Sequence, residues 1–167
     1  MVFIPAIGND GIKNFEVQVT LFKTNSPKVI VTGLVDDVII ESSSIAITLL
    51  KSFKYDLDSQ RIHIHYCDYS FSKEGSSAML GTYIALFLAI NNFSIGRKIL
   101  VTGEIDIKGN IYGVGGVLEK YKNYCDCGFD MFIIPKEGNN QLIKKSNNVF
   151  GFNTIEDVND FIRSMFL

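Results

Sequence analysis

Tryptophan is absent from this chain, and cysteine and proline occur only three times each in 167 residues. Cys67, Cys125 and Cys127 make an odd set without repeating spacing. That excludes the paired disulfide framework of a small secreted domain and predicts reduced thiols in a cytoplasmic setting. Charge of one sign is missing too: 16 Lys and Arg against 18 Asp and Glu leave a net charge of −2, so no basic field invites nucleic acid. The longest apolar run, residues 78–90, is interrupted by Gly81 and Thr82. It falls short of the ~20 residues that a membrane span requires. The first ten residues open apolar but carry no basic leader or cleavage-like end, so no signal peptide is expected. No repeat, low-complexity tract or linker divides the chain, and a single domain over residues 1–167 is expected.

What is present suits a buried core: 47% hydrophobic residues, with thirteen Phe and seven Tyr for aromatic bulk. Phe15 to Phe22 alternates apolar and polar residues and reads as a strand; Asn25-Ser26-Pro27 reads as a turn; Lys28 to Thr32 reads as the returning strand of a hairpin. Asp36-Asp37 opens an amphipathic helix running to Phe53. Further strands are expected at 61–67, 98–102, 131–134 and 148–152, and helices at 76–90, 117–127 and 155–166. The glycine-rich stretch 103–116 has room for a short hairpin, and no element is assigned to residues 1–10. The fold class is α+β, with mixed sheets and packed helices.

Residues 72–81, SKEGSSAMLG, place two adjacent hydroxyls at the mouth of the most apolar helix. A helix start needs one serine as an N-cap, and Ser76 is the candidate for that duty. Ser77 is then free for chemistry. Backbone N–H groups of a first helical turn lack acceptors and sit at the positive end of the helix dipole, where they can hold an oxyanion. Gly75, Ser76 and Ala78 are the backbone candidates for that role. A serine nucleophile also needs a base.

The stretch IHIHYCDYSFSKEGSSA, followed by VTGEIDIKGNIYGVGGVLEKYKNYCDCGFDMFIIPKE, resembles the proteolytic domain of Lon proteases. That family shows a His-x-His strand, then Pro-Lys-Asp-Gly-Pro-Ser-Ala-Gly, Thr-Gly-Glu-Ile, Gly-Gly-x-x-Glu-Lys and an Ile-Pro-Lys strand end. The match runs ungapped from Arg61 to about Glu137, with weaker similarity in TGLVDDVIIESSSIA. By position, the resemblance puts the nucleophile on Ser77 and the catalytic lysine on Lys120. It puts Thr102 beside that lysine, Glu74 where the family has Asp, and His63 and His65 on the His-x-His pair. Ser72 and Ser76 replace the family's prolines, and Met79 replaces the glycine after Ser-Ala. The resemblance implies a serine endopeptidase acting on unfolded proteins or peptides through an acyl-enzyme. It also implies self-association, in a six-membered ring in the family, and ATP use only through a separate or removed ATPase module, since no Walker sequence is present.

The residue types fit that chemistry. A lysine serves as general base only when neutral, and burial among apolar walls such as Val114, Val117 and Leu118 lowers its pKa from an ordinary value of roughly 10.4. Two other readings compete for residues near these motifs. His63, His65 and Cys67 share one strand face, with Cys125 and Cys127 elsewhere, which raises zinc; no fourth ligand stands at useful spacing, and no metal is expected. Gly109 to Gly116 lacks the Gly-Lys-Ser/Thr ending of a phosphate loop and reads as turn glycine. The rival function is non-catalytic: the same fold, without the Ser-Lys pair, organises recombination-linked ATPases related to RadA.

Overall fold

The computed structural model describes residues 1–166. Alternating apolar side chains build its principal sheet. Fifteen elements follow in chain order: β1 (Val2–Gly8), β2 (Gly11–Lys23), β3 (Lys28–Thr32), α1 (Asp37–Ser52), β4 (Gln60–Tyr66), a 3-10 turn (Ser76–Ala78), α2 (Met79–Ile90), β5 (Ile99–Val101), β6 (Glu104–Ile105), β7 (Ile111–Tyr112), α3 (Val117–Asp126), β8 (Met131–Pro135), α4 (Asn140–Lys145), β9 (Val149–Phe152) and α5 (Ile155–Ser164). Seven strands form one sheet in the order β3-β4-β2-β1-β5-β8-β9, while β6 and β7 make a separate hairpin. β2 is antiparallel to both of its neighbours; the remaining adjacent pairs are parallel, so the other six strands run one way. This is the expected mixed sheet with packed helices.

Period-2 alternation decides what each face of the sheet buries. Ile62, Ile64 and Tyr66 of β4 and Ile99 and Val101 of β5 face α1, α2 and α5, in a cluster that includes Ile39, Leu80, Phe87, Val158 and Ile162. Leu100, Phe132 and Ile134 point the other way, against Val117 and Tyr124 of α3 and Leu142 of α4. α2 lies under the first cluster with Met79 through Leu88 all buried, which explains a helix apolar on every side. Its hydroxyls are paired internally: Tyr66 Oη and Thr82 Oγ1 are 2.7 Å apart, and the Tyr83 hydroxyl donates to Asn159 at 3.0 Å.

Two expectations from the sequence are corrected by the structure. β2 and β3 do not form a hairpin. β3 runs parallel to β4, and β4 lies between β3 and β2. The chain leaves β3 through α1, and this β-α-β crossover returns β4 beside β3, where its apolar face completes the core. The first ten residues, without an element signal of their own, hold β1, which pairs antiparallel with β2 and parallel with β5 near the middle of the sheet. The Gly8-Asn9-Asp10-Gly11 turn that joins β1 to β2 is a recognisable hairpin signal. α4 is likewise unanticipated.

Gly33 ends β3 at φ +122°, and a Cβ there would lie 2.0 Å from the Tyr66 carbonyl oxygen. Both the left-handed backbone and the contact with immovable β4 main chain require glycine. Gly33→Ala is expected to destabilise the fold by at least ~3 kcal/mol, combining backbone strain with overpacking. Urea denaturation monitored by circular dichroism checks this; a midpoint unchanged from wild type contradicts it.

Candidate active site

All six co-directional strands end at one edge of the sheet, the edge where open α/β sheets characteristically place their ligands. There the chain leaves β5 at Thr102, β4 at the loop containing Phe71 and Ser72, and β1 at Gly8. These exits enclose a cleft of about 920 Å³ lined by, among others, Ile7, Glu74, Ser77, Glu104, Val114 and Lys120. Ser77 and Lys120, far apart in sequence, thus open onto the same space.

Lys120 sits on the inner face of α3 and is 3% exposed. Its Nζ donates to Thr102 Oγ1 at 3.0 Å, and Thr102 itself is fully buried. Burial draws the lysine pKa down from about 10.5 to about 8, against a smaller opposing pull from the Glu119 carboxylate. A neutral amine is therefore accessible near physiological pH. Val117 is buried beside it and Val114 partly so, as the sequence suggested, but Leu118 is 51% exposed and forms no wall. Helical geometry accounts for this: positions 117 and 120 share a face, and 118 projects about 100° away.

Ser77 lies in the 3-10 turn that leads into α2. Its carbonyl accepts from Gly103 N at 3.1 Å, and Leu80 N donates to Gly103 O at 3.1 Å. Gly103 directly follows Thr102. Main-chain hydrogen bonds thus tie the serine turn to the residue after the one that orients the lysine, so both parts of the cleft share one rigid junction.

Ser76 is not the expected helix cap. The turn and α2 start without a side-chain cap, and the Ser76 hydroxyl instead donates to Glu104 Oε2 at 2.6 Å. The loop is held across the cleft to β6 by this charge-assisted bond. Gly75 is corrected as an oxyanion donor: its N–H already donates to Asp36 Oδ2 at 3.1 Å, and its φ of +95° explains the need for glycine. Ser76 and Ala78 are the other two backbone positions of that reading. Glu74 is exposed on the cleft rim. Met79 is buried in the core, so it does not crowd the opening.

The structure does not bring His63 and His65 to this cleft. They occupy the sheet face opposite the larger core, where Thr32 Oγ1 lies 2.9 Å from His63 Nε2 and 2.7 Å from His65 Nδ1. One hydroxyl proton can serve only one of the two rings, so the Thr32 oxygen accepts from the other. Cys125 and Cys127 are exposed and unbridged, and among the described residues no three His, Cys, Asp or Glu side chains gather closely enough to hold a metal. Sequence reasoning misses the wall contributed by the β1–β2 turn, including Ile7, Asp10 and Lys13, because it places no strand before that turn.

With this geometry established, comparison with known proteins settles the lineage. Residues 6–166 match the family model described as the Lon protease (S16) C-terminal proteolytic domain. The chain belongs to the Lon proteolytic-domain family. It is 27% identical over 165 residues to the Lon protease of Mycoplasma mobile, covering 93% of this chain and 20% of that protein. With the Lon protease of Methanosarcina barkeri it shares 30% identity over 151 residues, 85% of this chain and 19% of that protein. The Lon protease of Clostridioides difficile is 32% identical over 141 residues, 80% of this chain and 18% of that protein. The chain therefore spans about a fifth of the length of these Lon relatives. No helix among the described residues is long and apolar enough to cross a membrane.

Burying Lys120 has a thermodynamic consequence. Its folded-state pKa lies below the unfolded value, so the unfolded chain binds the proton more tightly at every pH below about 10.5. The cost, on the order of 2–3 kcal/mol, is fully present below pH ~8 and disappears as pH rises to ~10.5. Lys120→Met is accordingly expected to be more stable than wild type at pH 7, by up to that amount, with the gain shrinking between pH ~8 and ~10.5. Denaturant titrations across that range measure it; a gain independent of pH shows that desolvation of the ammonium is not its cause.

Proposed function

We propose that this chain is the proteolytic unit of a Lon-type serine endopeptidase in which Ser77 is the nucleophile and Lys120 the general base. The observation that carries the reading is the buried Lys120 amine, drawn toward pH 8 and held by Thr102 in the cleft that Ser77 also lines. A fully solvated lysine could not serve, because fewer than about one in a thousand would be neutral at pH 7; at a pKa near 8, about one in ten is.

In this reading Lys120 Nζ takes the Ser77 hydroxyl proton as Oγ bonds to the scissile carbonyl carbon. The carbonyl oxygen becomes an oxyanion, held by amides at the start of the 3-10 turn, with Ser76 and Ala78 as candidate donors. The Lys120 ammonium then passes its proton to the departing amide nitrogen as the C–N bond breaks, leaving an ester on Ser77. A water molecule attacks that ester, gives a proton to Lys120 and releases the acid, and the proton returns to Ser77 Oγ. Thr102 orients the amine by accepting one of its hydrogens without admitting bulk water. The Ser76–Glu104 tether takes over the restraint that proline gives this loop elsewhere in the family. The substrates proposed are unfolded proteins and peptides. Self-association into a ring, and ATP use through a separate or appended ATPase module, follow from the Lon relationship as further parts of the proposal.

Hydrolysis of fluorescein-labelled casein and of a fluorogenic peptide tests the assignment. Wild type is expected to cleave both. Ser77→Ala and Lys120→Met are expected to lose roughly a thousandfold or more while keeping their circular dichroism. The wild-type kcat/KM is expected to rise with pH through about 8 and level off above it, because the neutral amine is the active form. Retained turnover in Ser77→Ala, or a profile that stays flat between about pH 6 and 9.5, overturns the mechanism.

A further inference from the structure

Lys73 is fully buried yet has no part in the chemistry above and does not line the cleft. A lysine without an ion-pair partner is an expensive core residue, and among the described residues no carboxylate bridges it. Its Nζ instead meets three main-chain carbonyls: Gly33 at 2.8 Å, Phe71 at 3.2 Å, and Asp68. Three convergent oxygens match the three N–H bonds of an ammonium. The group also lies 4.6 Å from the Phe71 ring centroid and 5.8 Å from that of Phe15, where aromatic faces favour a cation. The Lys73 backbone is fixed as well, its N–H donating to Leu34 O at 2.8 Å and its carbonyl accepting from Asp36 N at 3.0 Å.

Asp36 completes the arrangement. One carboxylate oxygen caps α1 by accepting from Ile39 N at 2.8 Å; the other accepts from Gly75 N at 3.1 Å. A single side chain thus starts α1 and holds the peptide two residues before Ser77.

We propose that Asp36 and Lys73 are positioning residues for Ser77, clamping the strap 73–75 to the β3–α1 junction so that the serine turn is held between this clamp and its main-chain bonds to Gly103. This rests on the reading of Ser77 as nucleophile. Without these two side chains, the junction holds the strap only through the Lys73 main chain, leaving Gly75 unheld on that side, and the Ser77 hydroxyl loses its fixed direction toward the amine. Neither residue touches substrate. Both act on the placement of one that does.

Asp36→Asn separates this role from support of the fold. Asparagine caps helices as well as aspartate does, but it has a single carbonyl oxygen, and its NH₂ cannot accept from Gly75. The experiment compares wild type, Asp36→Asn, Lys73→Met and Ser77→Ala for peptide hydrolysis, thermal melting and amide hydrogen exchange. For Asp36→Asn the expected result is a kcat about tenfold lower with KM within about twofold, the signature of a misplaced reacting group. Exchange at Gly75 should rise about tenfold, while the first-turn amides of α1 keep their protection. Lys73→Met, which keeps the apolar stem, should give the same pattern with a larger kcat loss if it folds. Wild-type exchange at Gly75 in Asp36→Asn, or wild-type kcat with exchange raised, overturns the clamp. So does a kcat loss that only accompanies lost α1 protection. Turnover persisting in Ser77→Ala would instead overturn the nucleophile assignment, and Gly75 exchange would still judge the hydrogen bonds of the clamp independently of activity.

Discussion

Everything distinctive about this cleft depends on keeping one amine dry. The Lys120 side chain extends inward from α3, beside Val117 and the end of β5, and its amine bonds there to the Thr102 hydroxyl. Desolvation is the larger effect on its proton affinity and Glu119 the smaller, so the balance is set by packing more than by neighbouring charge. The surrounding architecture serves that packing. β5 gives way to Thr102 because the chain must turn aside at Gly103, and Gly103 is also where the serine turn is bolted down. One short segment therefore both holds the Lys120 amine and anchors the turn that bears the Ser77 hydroxyl.

The loop before α2 is held from both sides. At the two positions where the Lon motif of the resemblance has proline, the present sequence has Ser72 and Ser76. Ser76 ties this loop to β6 through its bond to Glu104, a restraint that depends on a carboxylate. Asp36 and Lys73 hold the other side of the same segment through hydrogen bonds to main-chain groups, which are indifferent to the side chains of the residues they hold.

Much of this is legible in the sequence, and the misses have physical reasons. The strands at 61–67 and 131–134 declare themselves by period and β-branched content, and α2 by its length and stop at Asn91. The meeting of Ser77 and Lys120 at one cleft is what the resemblance to the Lon motifs implies. Strand order does not: adjacency in sequence suggests a β2–β3 hairpin, while the α1 crossover, a non-local effect, decides otherwise. β1 escapes notice because Pro5 interrupts its pattern, although the Gly-Asn-Asp-Gly turn after it is readable. Ser76 misleads because the propensity of serine for helix caps says nothing about a carboxylate approaching from β6. The histidine pair draws attention by its chemistry, but period 2 places it on the sheet face away from α2, bonded to Thr32.

The central position of β1 bears on how the molecule is made. Val2 pairs with Ile99 and Phe3 with Leu100, so β1 must wait for a strand that is made much later before its second edge is covered. Until then one edge of β1 stays open, and the long-range β1–β5 pairing that closes it forms slowly and leaves that edge free to associate with other chains. Vectorial synthesis thus leaves the seam of the sheet as one of the last places to close, and the wall that the β1–β2 turn lends to the cleft takes its final place only then.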